Sequence, residues 1–235
     1  MSNAENLLQN NQLADQSRQQ RLSQLLARPD IWQAANEHKR QRGGIASGYA
    51  TLDALLAGRG WPRGATTELL VDRSGIGEIS LLLPALAELT QREQMVVLVN
   101  PPFIPYAPAL AAAGIQLEKL LILHPRGQKD ELWAMEQSLQ SGCCGALLSW
   151  QGSRAPADKD LRRLQLAARE GDCLHFHFRP QSTATAPFPA SLRLSLSSDG
   201  EQLAVQLLKQ LGGQSGQRLH LSRNTDLTRR DRPLH

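Results

Sequence analysis

Thr66-Thr67-Glu68-Leu69-Leu70-Val71 is followed by Asp72-Arg73-Ser74-Gly75-Ile76-Gly77-Glu78-Ile79-Ser80. The first stretch reads as a strand and the second as a loop running into a helix. In an open α/β sheet this is the place and length of a phosphate-binding loop. A working loop needs glycines so that backbone N–H groups can curl around phosphates. It also needs Lys for the β/γ oxygens and Ser or Thr for magnesium. Here Gly77 stands at the second glycine, Glu78 where the Lys belongs, and Ile79 where the metal ligand belongs. At ~4 Å and an effective dielectric near 20, one charge pair is worth roughly 4 kcal/mol. Replacing the cation by an anion reverses the sign of that interaction. Ser74, Gly75, Gly77, Glu78 and Ile79 therefore form a degenerate phosphate loop, and no cofactor is expected there.

Working outward, the strand and helix signals alternate. Thr51–Leu56 suits a short helix. Glu78–Arg92 reads as a helix that Pro84 would kink. Met95–Val99 (MVVLV) is a continuous apolar run, as in a strand covered on both faces. Ala107–Ala113 reads as a helix, Leu120–Leu123 as a strand, Lys129–Ser141 as a helix and Ala146–Trp150 as a strand. Ala157–Glu170 is a further helix and Cys173–Phe178 a further strand. Leu192–Leu196 and Leu203–Leu208 flank Asp199-Gly200, a hairpin signal. Such alternation predicts a mostly parallel sheet with flanking helices and a C-terminal antiparallel hairpin. The candidate acid-bearing strand of a P-loop ATPase ends Leu147-Leu148-Ser149-Trp150-Gln151, without a carboxylate. Two separate parts of one active site are missing, so no catalytic residue is expected.

The flanks differ from the core. Residues 1–43 read as a helical arm, with 1–12 polar and disordered; 44–212 form the main domain; 213–235 are a basic, flexible tail. The net charge of +4 sits at the two ends, because residues 44–208 sum to −2. Arg218, Arg223, Arg229, Arg230 and Arg232 are the candidates for weak DNA contact through phosphates. Trp32 on the arm and Trp61 are the candidate partner contacts. His175 and His177, two apart on a strand, share a face, but no third ligand accompanies them and no metal is expected. Cys143, Cys144 and Cys173 make neither a disulfide framework nor a zinc site. No apolar run reaches the roughly 20 residues that span a bilayer, and the start lacks signal-peptide order, so a cytosolic, non-membrane protein is expected.

Ser47-Gly48, Leu52-Asp53, Gly60-Trp61-Pro62-Arg63-Gly64 and Glu68 resemble the opening of the RecA core. GWPRGATTELL (60–70), GIGEISLLLPALA (75–87), PPFIPYAPALAAAGI (101–115), LHPRGQKDELWAMEQSLQSG (123–142) and LRRLQLAAREGD (161–172) resemble the ImuA/SulA family more closely. The resemblance covers roughly residues 28–212. It implies a RecA-like P-loop-type core without ATPase activity and induction in the SOS response. The N-terminal arm, the GWPRG lead-in and the closing hairpin favour the ImuA side of the family. That side implies an adaptor in mutagenic translesion synthesis. Its partners would be an ImuB-like polymerase relative, an error-prone C-family polymerase and RecA itself. The SulA side implies the alternative, a cell-division inhibitor binding FtsZ.

Overall fold

The computed structural model describes residues 43–152 and 155–222. Helix α1 spans Ala50–Leu55, and strand β1 spans Ala65–Val71. Helix α2 (Leu83–Gln91), strand β2 (Met95–Val99), helix α3 (Ala107–Ala112) and strand β3 (Leu120–Leu123) follow. Helix α4 (Gln128–Gln140), strand β4 (Cys144–Trp150), helix α5 (Asp158–Glu170) and strand β5 (Leu174–Pro180) complete the alternating part. Strands β6 (Leu192–Asp199), β7 (Gln202–Gln210) and β8 (Arg218–Ser222) close the described chain.

These strands form one eight-stranded sheet in the order β3-β2-β4-β5-β1-β6-β7-β8. Strands β1 to β6 pair in parallel, and β7 and β8 are antiparallel to their neighbours. The mixed α/β sheet and its antiparallel hairpin match the expectation from the sequence. Strand β1 lies inside the sheet, and all seven of its residues are buried. That is why its sequence carries no polar and apolar alternation.

One face is covered by α1 and α2, whose Leu52, Leu86 and Leu89 meet Leu69, Leu98, Leu148 and Phe176. The other is covered by α4 and α5, whose Met135, Leu139, Leu164 and Ala168 meet Val97, Val99 and Leu147. Gly171, between α5 and β5, lets these layers close: a Cβ there would lie 1.9 Å from the Leu139 carbonyl oxygen.

Three expectations are corrected. The helix expected from Glu78 begins at Leu83, and Pro84 sits in its first turn. Proline lacks the N–H that this position leaves unpaired anyway, so it starts the helix and does not kink it. Trp61 is a core residue and not a partner contact. It is fully buried, bridges backbone with Ile45 and meets the Phe176 ring edge-on at 5.2 Å. The sheet also continues past residue 212. Strand β8 pairs with β7 and turns Leu221 inward, a five-residue element too short for its alternation to stand out beside the basic tail. Arg218 is an exposed residue of that strand. Trp32, Arg223, Arg229, Arg230 and Arg232 lie outside the described residues.

Candidate functional site at the carboxyl edge of the sheet

The loop after β1 turns on two glycines. Gly75 and Gly77 have φ of 87° and 93°, values that an L side chain adopts only with strain. The Gly75 N–H points at the chain's own Glu78, donating to its two carboxylate oxygens at 3.0 and 3.1 Å. Glu78 is buried, Ile79 half-buried and Ser74 half-buried. An internal carboxylate thus holds a backbone amide of this loop.

A second assembly was only partly legible in the sequence. The register places Glu68 of β1 between His177 of β5 and Arg193 of β6. Glu68 is fully buried and accepts from Arg179 Nη1 at 2.5 Å and from Arg193 Nε. Arg179 also donates to Gln151 Oε1 at 2.8 Å, and its guanidinium lies 4.8 Å from the Phe188 ring centre. Arg193 also donates to the Ala184 and Ala186 carbonyls at 3.1 and 3.2 Å, tying the segment after β5 to the sheet. The signal for this group was a charge inside each of three strands otherwise free of charge at their buried positions. Nothing in one dimension says that the three strands are neighbours.

Beside it runs a buried hydrogen-bonded row. Thr66 Oγ1 lies 3.0 Å from His175 Nδ1, His175 Nε2 lies 3.0 Å from Ser149 Oγ, and Ser149 Oγ lies 2.8 Å from His177 Nδ1. The shared face expected for the two histidines is observed, but their neighbours are hydroxyls. Among the described residues no cluster of three His, Cys, Asp or Glu could hold a metal. Burial pushes His175 down to about 3 and holds His177 well below the usual imidazole range, with His175 and Arg179 adding to the effect at His177. Both rings are therefore neutral at pH 7.

The proton order of this row follows from counting donors. If Thr66 donates to His175 Nδ1, then His175 Nε2–H donates to Ser149 and Ser149 donates to His177 Nδ1. The opposite order strands the buried Thr66 hydroxyl proton, at about 1–3 kcal/mol. The first order leaves His177 as the Nε2–H tautomer, and Nε2 is buried without a partner.

His177 forms one wall of a cleft of about 190 Å³, lined also by Asn100, Gln128, Glu131, Gln151 and Met135. Its place follows from the topology. Strand β2 leads through α3 to the β3 edge, whereas β4 leads through α5 in the opposite direction to β5. The winding reverses between β2 and β4, and ligand crevices of open α/β sheets lie outside such strand ends. Asn100 directly follows β2 and Gln151 directly follows β4. On α4, burial raises the Glu131 carboxyl above its ordinary range, and a hydrogen bond with Asn100 partly offsets the rise.

The same edge carries an apolar loop. Phe103, Ile104 and Tyr106, between β2 and α3, are 69%, 90% and 72% exposed. Among the described residues, no helix is long and apolar enough to cross a membrane.

The fold and site define a doubly wound open α/β protein whose loop after β1 is tied down by its own Glu78. Residues 64–175 match the family model described as cell division inhibitor SulA. The cell division inhibitor SulA of Photorhabdus laumondii subsp. laumondii is 30% identical over 116 residues, which are 49% of this chain and 64% of that protein. That of Pectobacterium carotovorum subsp. carotovorum is 26% identical over 152 residues, 64% of this chain and 87% of that protein. The chain thus spans just under two thirds of the Photorhabdus relative.

Proposed function

We propose that this chain is a non-catalytic, SulA-type protein that restrains cell division by binding FtsZ. The observation that carries the reading is the match of residues 64–175 to cell division inhibitor SulA, a segment running from β1 into β5 and including the Pro101–Pro108 loop. Phe103, Ile104 and Tyr106 on that loop supply the large apolar side chains that a protein interface buries at its centre. In this reading the core is RecA-like and binds no nucleotide. Glu78 stands where the phosphate-binding Lys belongs and its carboxylate holds the Gly75 amide. Strand β4 ends at Trp150, and Gln151, not a carboxylate, follows it. Binding, and not turnover, is then the work of the fold.

The test is FtsZ polymerisation followed by sedimentation and light scattering with the full-length chain. Inhibition near equimolar protein, lost in the Ile104→Asp variant while its melting temperature is kept, supports the reading. Unaltered polymerisation at a several-fold excess of folded protein refutes it.

One observation favours a second reading, an accessory protein of translesion synthesis on the ImuA side of the family. Strands β6–β8 lie beyond the matched segment, and both relatives are shorter than this chain. Capture of an ImuB-like protein, an error-prone C-family polymerase or RecA, without FtsZ, would select that reading.

A further inference from the structure

Strand β3 ends the sheet on one side and pairs with β2 alone among the described residues. Sheet edges are ordinarily blunted by a charge, a proline, a bulge or a covering segment, because their outer N–H and C=O groups invite a further strand. Leu120-Leu121-Ile122-Leu123 has neither charge nor proline. Its register with β2 runs unbroken. We propose that this edge docks a second copy of the chain, the two β3 strands pairing antiparallel about a two-fold axis at Ile122 into one continuous sheet.

The hydrogen-bond pattern sets the axis. The Leu123 carbonyl accepts from the Asn100 N–H at 2.9 Å, so the backbone groups of Leu123 face β2. Along a strand, alternate residues turn these groups to opposite sides. Leu121 therefore also faces β2, and Leu120 and Ile122 face outward. The Leu120 N–H is spent on the Leu117 carbonyl in the turn before the strand. Ile122 keeps both of its outer groups, and two copies centred there exchange two N–H···O bonds. The same register sets each Leu120 carbonyl opposite the second copy's His124 N–H.

The side chains agree with that register. Leu121 is 42% exposed, and it lies directly across from the second copy's Leu123 on the same face, a pair that stabilises a sheet. Glu118, in the Leu117–Lys119 turn, and Arg126, just after β3, are both exposed, and among the described residues neither has an ion-pair partner. The antiparallel register carries each Glu118 toward the second copy's Arg126, twice by symmetry. A parallel pairing sets Glu118 against Glu118 and Arg126 against Arg126, and like charges in opposition destabilise. Charge thus selects the two-fold arrangement. Phe103, Ile104 and Tyr106 take no part in it, so the dimer is independent of the FtsZ reading.

The experiment is sedimentation equilibrium of the full chain. The expected result is a reversible dimer with a dissociation constant of about 100 μM or tighter, the weak range of a small interface, sampled at about 10–500 μM protein. Glu118→Arg and Arg126→Glu each reverse two symmetric contacts at exposed positions, so each variant should keep its melting temperature and dimerise about tenfold more weakly. Mixed in equal amounts, the two variants should recover the wild-type affinity, because each copy then meets the opposite charge. Leu121→Lys, at the centre of the edge, should be monomeric over the same range. A wild-type monomer throughout overturns the proposal, and so does a dimer that Leu121→Lys leaves intact. An affinity within about twofold of wild type in either charge variant also overturns it, as does a mixture that associates no more tightly than its components.

Discussion

Removing Glu68 should be among the most damaging single changes in the sheet. The carboxylate is fully buried and holds two guanidiniums whose side chains are 7% and 13% exposed. Breaking a buried ion pair by deleting one partner costs about 3–5 kcal/mol, because an uncompensated charge is left behind. Here Glu68→Ala leaves two cations, but each keeps other partners. Arg179 retains Gln151 and the face of Phe188; Arg193 retains the Ala184 and Ala186 carbonyls. The expected cost is therefore at the lower end, about 3 kcal/mol. For a domain of this size that corresponds to a fall in Tm of about 6–12 °C. Urea unfolding followed by tryptophan fluorescence measures the loss, with Glu88→Gln as the control. Glu88 forms an exposed helical pair with Arg92, so that change should stay within about 0.5 kcal/mol. A cost below about 1 kcal/mol for Glu68→Ala would refute the reasoning and show that the two arginines repair themselves with solvent.

Acidification should destabilise the fold earlier than carboxylate protonation does. His175 and His177 are held neutral by burial, so below pH ~6.5 the unfolded chain binds protons that the native state refuses, and stability falls as pH falls. Between pH 7.5 and 5.5 His175 alone should account for about 1.4 kcal/mol, His177 adding in the same direction; urea midpoints at the two pH values would expose a flat profile if this is wrong. Gly171→Ala should cost about 3 kcal/mol, the upper end for overpacking, because backbone and not a flexible tip stands at 1.9 Å; a thermal melt within 2 °C of wild type, a shift of about 1 kcal/mol or less, would contradict the close approach. Glu78→Ala should free the Gly75 amide and speed its hydrogen exchange while costing about 1–3 kcal/mol. Unchanged exchange would mean that the carboxylate does not hold the loop.

The fold was legible where burial and chain punctuation speak locally. MVVLV is covered on both faces in the structure, as its unbroken apolar run requires. Gly114, Gly142 and Gly171 follow helices within a residue or two of where they were expected to end. Pro84 misled because a proline at a helix start and one at a helix interior are the same letter; only the hydrogen-bond ladder tells them apart. Trp61 misled for a related reason. An indole in a glycine-rich turn suits a surface anchor or a core plug, and the choice depends on Phe176, more than a hundred residues away.

The sequence by itself determined the alternating α/β architecture and the acidic residue, Glu78, in the loop after β1. Periodicity, glycine placement and side-chain charge are properties of neighbours along the chain. The tertiary structure alone decided that Glu68 sits between Arg179 and Arg193, and that Thr66, Ser149 and the two histidines join in a buried row. Those pairings cross from β1 to β4, β5 and β6, and strand order is set by how the whole sheet packs. A hydrogen bond between residues a hundred positions apart has no signature in either residue's own neighbourhood.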